Sequence, residues 1–182
     1  MKILKELLPG CFLLRPKVFE DNRGIFVKTF DENKFKELGL DFKMREEFYS
    51  ISNKNVIRGM HFQKPPHDHA KLVYCSHGLV IDVFLDLRKG AGYGESASTI
   101  LSAENRSIVI IPKGVAHGFF AKSDKSLMVY KTSTPHNPEA DSGIHWDSFE
   151  FNWGIDSPEI SMRDSCHPNF SDFNSPFNSD SP

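Results

Sequence analysis

From residue 79 to residue 87 apolar and polar side chains alternate with a period of two, so that Ile81, Val83, Leu85 and Leu87 share one face and Val80, Asp82, Phe84 and Asp86 the other. Such a run is a strand with apolar side chains on both faces and two carboxylates on one of them. Shorter apolar or alternating runs recur at residues 11–15, 25–30, 56–62, 71–75, 107–111, 117–121 and 127–132, with turn-forming residues between them. That rhythm predicts an all-β sandwich or barrel. One short peripheral helix is predicted over residues 31–38, with Asp31 as its N-cap and Gly39 as its stop. No repeat has a solenoid or propeller period. From Asn169 onward Ser, Asp, Asn, Pro and Phe dominate, so the expected organisation is one domain over 1–168 and a polar tail over 169–182.

Composition narrows the function. A chain of 182 residues that is 39% hydrophobic and 25% charged suits a single domain with a sizeable core. A net charge of -2 with no Lys/Arg block gives no electrostatic footprint for nucleic acid or an anionic membrane. Apolar runs stay below the roughly 18–20 residues that span a bilayer, and the first residues lack the apolar stretch of a signal peptide, which predicts a cytoplasmic protein. Cys11, Cys75 and Cys166 are widely spaced with no C-x-x-C pair, so neither a disulfide framework nor a cysteine zinc site is expected.

The chemistry gathers on two stretches. In the first, Arg58-Gly59-Met60-His61-Phe62-Gln63, strict alternation puts His61 and Gln63 on a face with Ile57 and Gly59, and Arg58 on the other face with Val56, Met60 and Phe62. A histidine there is either a hydrogen-bonded core residue or a base. The second, Pro112-Lys113-Gly114-Val115-Ala116-His117, matches the P-x-G-x-x-H pattern of cupin barrels. With His67 and His69, His117 offers three imidazoles, which opens the reading of a metal-dependent cupin oxygenase or isomerase. Against that reading, no glutamate follows His69 and Lys71 brings a cation close to any bound dication.

Taken in order, the runs 19–26, 58–63, 71–73, 82–88, 101–105, 111–119, 129–131 and 161–164 resemble the nucleotide-sugar epimerases typified by dTDP-4-dehydrorhamnose 3,5-epimerase, over residues 16–168. The resemblance implies a cupin-type jelly-roll β-barrel with short peripheral helices, assembled as a homodimer. It implies inversion at C3, C5 or both of a nucleotide-linked 4-keto-6-deoxy sugar, without metal or nicotinamide cofactor, in deoxysugar or surface-polysaccharide biosynthesis. A sugar-nucleotide 3,4-ketoisomerase shares the barrel and the enolate chemistry and is the related alternative. The C4 carbonyl acidifies its neighbouring C–H bonds, so inversion calls for a base on one face, an acid on the other and a cation at the enolate oxygen. By resemblance these are His61, Tyr130 and Lys71, with Asp164 orienting His61; Asp82 is a second candidate partner, for His61 or Lys71.

Resemblance also assigns the substrate contacts. Arg23 and Arg58 suit the diphosphate, because guanidinium donates in a fork that matches two oxygens; a surface salt bridge is the plain alternative for Arg23. Phe26, Gln63, His69, His117 and Arg163 complete the family's positions. Three places depart from the family. Lys28 stands where an acidic residue is usual, and an ammonium suits the N3 acceptor of cytosine better than the N3–H of thymine. Glu46 and Phe48 replace the usual Q-x-N, and Pro135-His136 replaces a pair of tyrosines, so His136 is a candidate sugar contact. These departures open a CDP- or GDP-linked substrate.

Overall fold

The computed structural model describes residues 1–178 and resolves the strand rhythm into two sheets packed face to face. In chain order the strands are β1 (Lys2–Leu8), β2 (Cys11–Arg15), β3 (Lys17–Asp21), β4 (Gly24–Lys28), β5 (Glu46–Ser52), β6 (Ile57–Gln63), β7 (Lys71–His77), β8 (Leu79–Asp86), β9 (Ser96–Ser102), β10 (Ile108–Ile111), β11 (Val115–Ala121), β12 (Ser126–Thr132) and β13 (Asp141–Gly143). One sheet runs β1-β2-β10-β7-β12-β5 and the other β13-β6-β11-β8-β9, while β3 and β4 form a separate hairpin. This is the expected cupin-type jelly roll.

Each sheet is covered on both faces, which explains strands apolar on both sides. Between the sheets, Val73, Cys75, Val109 and Met128 meet Val80, Phe84, Leu101 and Phe119. Behind the five-stranded sheet, Met60, Phe62, Val83, Leu85 and Phe120 lie under Ile144, Trp153 and Phe177. Behind the other sheet, Leu14, Leu72, Ile108 and Ile110 lie under Phe35, Leu40 and Phe42. Phe35 belongs to helix α1 (Glu32–Glu37), whose N-cap Asp31 accepts from the Lys34 N–H at 3.2 Å; Gly39 follows with a φ of +72°. A second helix, α2 (Met162–Ser165), is a single turn.

The predicted tail packs on the barrel as far as it is described. Phe177 is fully buried, its carbonyl accepts from the Lys89 N–H at 3.1 Å, and its ring and that of Phe173 stand edge-on to Phe62. Residues 179–182 of that tail lie outside the described residues.

One expectation is corrected. Strict alternation set Arg58 and His61 on opposite faces, yet Ile57, Met60 and Phe62 pack into the cluster behind the sheet while Arg58, His61 and Gln63 all line the interior, where Phe62 also borders the cavity. The cause is a register shift between β6 and β11, where His117 pairs with His61 but Phe119 pairs with Arg58, so β6 carries one extra residue. Gly59 sits in this bulge at φ +134°, and a Cβ there would lie 2.5 Å from Gly118 Cα.

Candidate active site

The interior of the barrel opens into a cavity of about 370 Å³. Arg58, His61 and Gln63 enter it from β6, and His117 and Phe119 from β11. Across from them stand Lys71 of β7, Tyr130 and Thr132 of β12, and Glu46, Phe48 and Ser50 of β5, with His69, His136, Asp141 and Arg163 at the margins. His61 and Tyr130 therefore belong to opposite walls, since β6 and β12 lie in different sheets.

His61 is held from behind. The segment before α2 docks along the start of β6 through a parallel bridge of Glu159 to Val56, and the Ser161 hydroxyl caps α2 by accepting the Asp164 N–H at 3.1 Å. Asp164 then meets His61 Nε2 at 2.9 Å with Oδ1 and accepts the Gly59 N–H at 3.1 Å with Oδ2. Burial pushes the Asp164 carboxyl up, but the bond from His61, the charge beside it and the Gly59 N–H together hold it down to about 2. An ionised carboxylate only accepts, so Nε2 carries the imidazole proton and Nδ1 keeps its lone pair. Burial lowers the His61 pKa, Asp164 opposes that shift, and Lys71 adds to it. The result is a neutral imidazole with one open nitrogen.

Lys71 is buried and donates to the His61 carbonyl at 2.9 Å, leaving two N–H bonds free. Burial lowers its pKa to about 8, with Asp141 and Asp82 working the other way. Tyr130 lies under Phe48, whose ring stacks on it at 4.8 Å, and its hydroxyl is 3.3 Å from Ser50 Oγ. Burial raises the phenol well above its ordinary value, so it stays protonated.

Other expected residues are brought in with different partners. Asp82, the second candidate partner for His61 or Lys71, is committed to His117, whose Nε2 it meets at 2.7 Å in full burial. Gln63 lines the cavity with its amide tied at both ends, donating to the His67 carbonyl at 2.6 Å and accepting the Asn137 N–H at 2.7 Å. Glu46 accepts the His136 N–H at 2.6 Å, and Arg163 pairs with Asp141 at 2.6 Å. His69 offers two buried ring nitrogens without hydrogen-bond partners among the described residues, and burial followed by the Lys71 charge lowers its pKa to about 3. Ser50, Phe62, Phe119, Thr132 and Asp141 also line the cavity, although sequence reasoning did not select them. Ser50 shares a face with Phe48 and Thr132 with Tyr130, so parity alone would have found those two.

Arg23, Phe26 and Lys28 are not among the lining residues. They sit on the β3–β4 hairpin, where Arg23 is paired with Asp21 at 2.7 Å and Lys28 with Asp31 at 3.4 Å, and where Phe26 is 61% exposed. The three histidines of the metal-cupin reading do not converge either. His67 is exposed, and the group of three possible ligands whose donor atoms do cluster among the described residues is His61, Asp164 and His167.

A family model described as dTDP-4-dehydrorhamnose 3,5-epimerase matches residues 5–172. The chain belongs to that family. The dTDP-4-dehydrorhamnose 3,5-epimerase of Escherichia coli K12 is 38% identical over 163 residues, covering 88% of this chain and 87% of its own. The enzyme of that name from Methanothermobacter thermautotrophicus is 42% identical over 158 residues, covering 86% and 84%. Among solved structures, the dTDP-6-deoxy-D-glucose-3,5-epimerase of Legionella pneumophila in complex with dTDP-4-keto-L-rhamnose superposes with a TM-score of 0.90 at 29% identity, over 95% of this chain and 94% of that one. Within the dTDP-4-dehydrorhamnose 3,5-epimerase family this chain is an enzyme of the isomerase class.

Proposed function

We propose that the protein is a 3,5-epimerase acting on a dTDP-linked 4-keto-6-deoxy sugar. One observation carries the reading: an open imidazole nitrogen, a buried ammonium and a protonated phenol line one cavity, with the imidazole and phenol on opposite walls. His61 Nδ1 takes the proton from the carbon beside the C4 carbonyl. The C–H electron pair moves into the carbonyl to give an enolate, whose oxygen the Lys71 ammonium stabilises. Tyr130 O–H returns a proton to the opposite face, inverting the carbon, and solvent then reprotonates the phenolate while His61 releases its proton. Arg58 and Arg163 are the cavity's guanidinium groups for the diphosphate.

The hairpin residues fit this reading in a homodimer. Phe19, Ile25 and Phe26 expose apolar surface on a hairpin that joins neither main sheet. A second copy can bring Arg23, Phe26 and Lys28 to the nucleotide end of the cavity. A charged nucleotide diphosphate does not cross a bilayer unaided, which supports a cytoplasmic reaction; separately, no helix among the described residues is long and apolar enough to span a membrane. Relatives named for dTDP sugars support thymidine, while Lys28 favours cytidine.

Proton NMR of dTDP-, CDP- and GDP-linked 4-keto-6-deoxyglucose, incubated with the enzyme in deuterium oxide, tests the proposal. The expected outcome is loss of the C3 and C5 proton signals with the dTDP form, abolished by His61→Ala. Exchange with CDP or GDP sugars alone would overturn the nucleotide assignment, and a migrated carbonyl would identify a 3,4-ketoisomerase.

A further inference from the structure

Behind the base lies a histidine that the epimerase reaction does not use. His167 does not line the cavity; its ring stands edge-on to that of His61 with centroids 5.8 Å apart. Its Nε2 is buried without a hydrogen-bond partner among the described residues and lies 3.7 Å from Asp164 Oδ1, too far for a hydrogen bond. The same oxygen is 2.9 Å from His61 Nε2, and the donor atoms of all three residues lie within 4.8 Å of one another. The pocket for this ring is made by Gly143, the β13 residue opposite His61, because a Cβ there would come within 2.4 Å of His167 Nε2.

We propose that His61, Asp164 and His167 form an inhibitory site for a borderline divalent cation of the zinc class. Two imidazoles and a carboxylate are the donor set such ions favour over magnesium or calcium. Ligand bonds of about 2.0–2.2 Å in a tetrahedron require donor atoms roughly 3.3 Å apart. The two measured separations, 2.9 and 3.7 Å, bracket that spacing, and the third lies within 4.8 Å.

The proton balance gives the effect on catalysis. A metal on His61 Nε2 needs the lone pair there, so the proton held toward Asp164 moves through solvent to Nδ1 and the imidazole stays neutral. His167 binds as a neutral imidazole and Asp164 as a carboxylate, so no proton is lost overall. Nδ1 then faces the cavity as an N–H and has no lone pair for a C–H proton. Asp164 and His167 lie outside the cavity lining, so substrate still binds: occupancy lowers kcat and leaves KM in place. The inhibition rests on His61 being the base, whereas the metal site stands on its own geometry.

The test uses chelator-washed full-length enzyme titrated with Co2+ and followed by visible absorption, alongside turnover assays with added Zn2+. Expected are one Co2+ per chain, displaced by Zn2+, and a fall in kcat of tenfold or more that a chelator reverses. His167→Ala and Gly143→Ala, each shown to be folded by circular dichroism, are expected to lose the cobalt spectrum and the zinc sensitivity. An unchanged spectrum in both variants, or no spectrum in the parent enzyme, overturns the proposal. Zinc that raises KM instead overturns it in favour of binding at the cavity histidines. Cobalt bound as expected in a protein that shows no proton exchange with any of the three sugars sinks the epimerase reading and leaves the metal site standing.

Discussion

Asp164 fixes the tautomer of one residue and the backbone of another, with a separate oxygen for each. Asp164→Asn keeps the shape and removes the charge that holds the proton on Nε2. Steady-state kinetics are expected to show kcat down about a hundredfold with KM little changed, within the usual range for a general base. Tyr130→Phe separates the two halves of the reaction. Deuterium uptake at the acidified carbon persists, since His61 can abstract and return the proton on its own side, while inversion falls by about a hundredfold. The pH profile of kcat/KM reports two groups. His61 must be unprotonated and burial lowers its pKa, so the acid limb falls below the ordinary histidine value of 6.5. As the proposed cation at the enolate oxygen Lys71 must be charged, and burial brings its pKa down to about 8, so activity is expected to be lost as pH rises through that value. Lys71→Arg, whose cation does not titrate in this range, is expected to remove the alkaline limb; an unmoved limb would exclude Lys71 as its source.

The β6 bulge turns Arg58 into the same cavity as His61. Gly59→Ala drives a methyl into Gly118 and strains a positive φ, and is expected to cost about 3 kcal/mol, lowering Tm by roughly 6–12 °C in a thermal melt. The bulge was invisible in the sequence because period-two reasoning carries no signal for an inserted residue. The strands that escaped sequence reading share a physical cause. β1, β5, β9 and β13 are the outer strands of the two main sheets and β3 lies in the free hairpin; most side chains of β1, β3 and β5 are exposed, and β9 and β13 are built mostly of Ser, Thr, Asp and Gly, so the apolar alternation fades. Central strands such as β8 were legible almost to the residue, and so was α1, whose cap and stop are written in Asp31 and Gly39. The pairing of Asp164 with His61 spans 103 residues, and only the family motif pointed to it. The pairing of His117 with Asp82 was missed because strand parity does not give the register of neighbouring strands.

For the whole molecule, the placement of Arg23, Phe26 and Lys28 away from their own cavity makes a dimer prediction sharp. Mixing His61→Ala chains with Arg23→Ala chains gives mixed dimers in which one site carries both lesions and the other neither. Random exchange is then expected to restore about a quarter of the wild-type sites, as two-fold symmetry requires. A hairpin serving its own chain would restore none. The C-terminal segment matters for stability as well: Phe177→Ala empties a fully buried site and is expected to cost about 3–5 kcal/mol, seen as a loss of roughly 10 °C in Tm. That segment also sets a schedule. The bridge from Glu159 to Val56 and the carboxylate of Asp164 come from the far end of the chain, after every strand of the barrel has been made. A nascent chain that has not yet delivered this segment has every strand of the barrel but lacks both the carboxylate partner of its histidine and the Arg163 guanidinium. Synthesis thus delivers the strands first and arms the base last, so a half-made enzyme is expected to scramble the sugar nucleotides around it at no more than about a hundredth of the full rate.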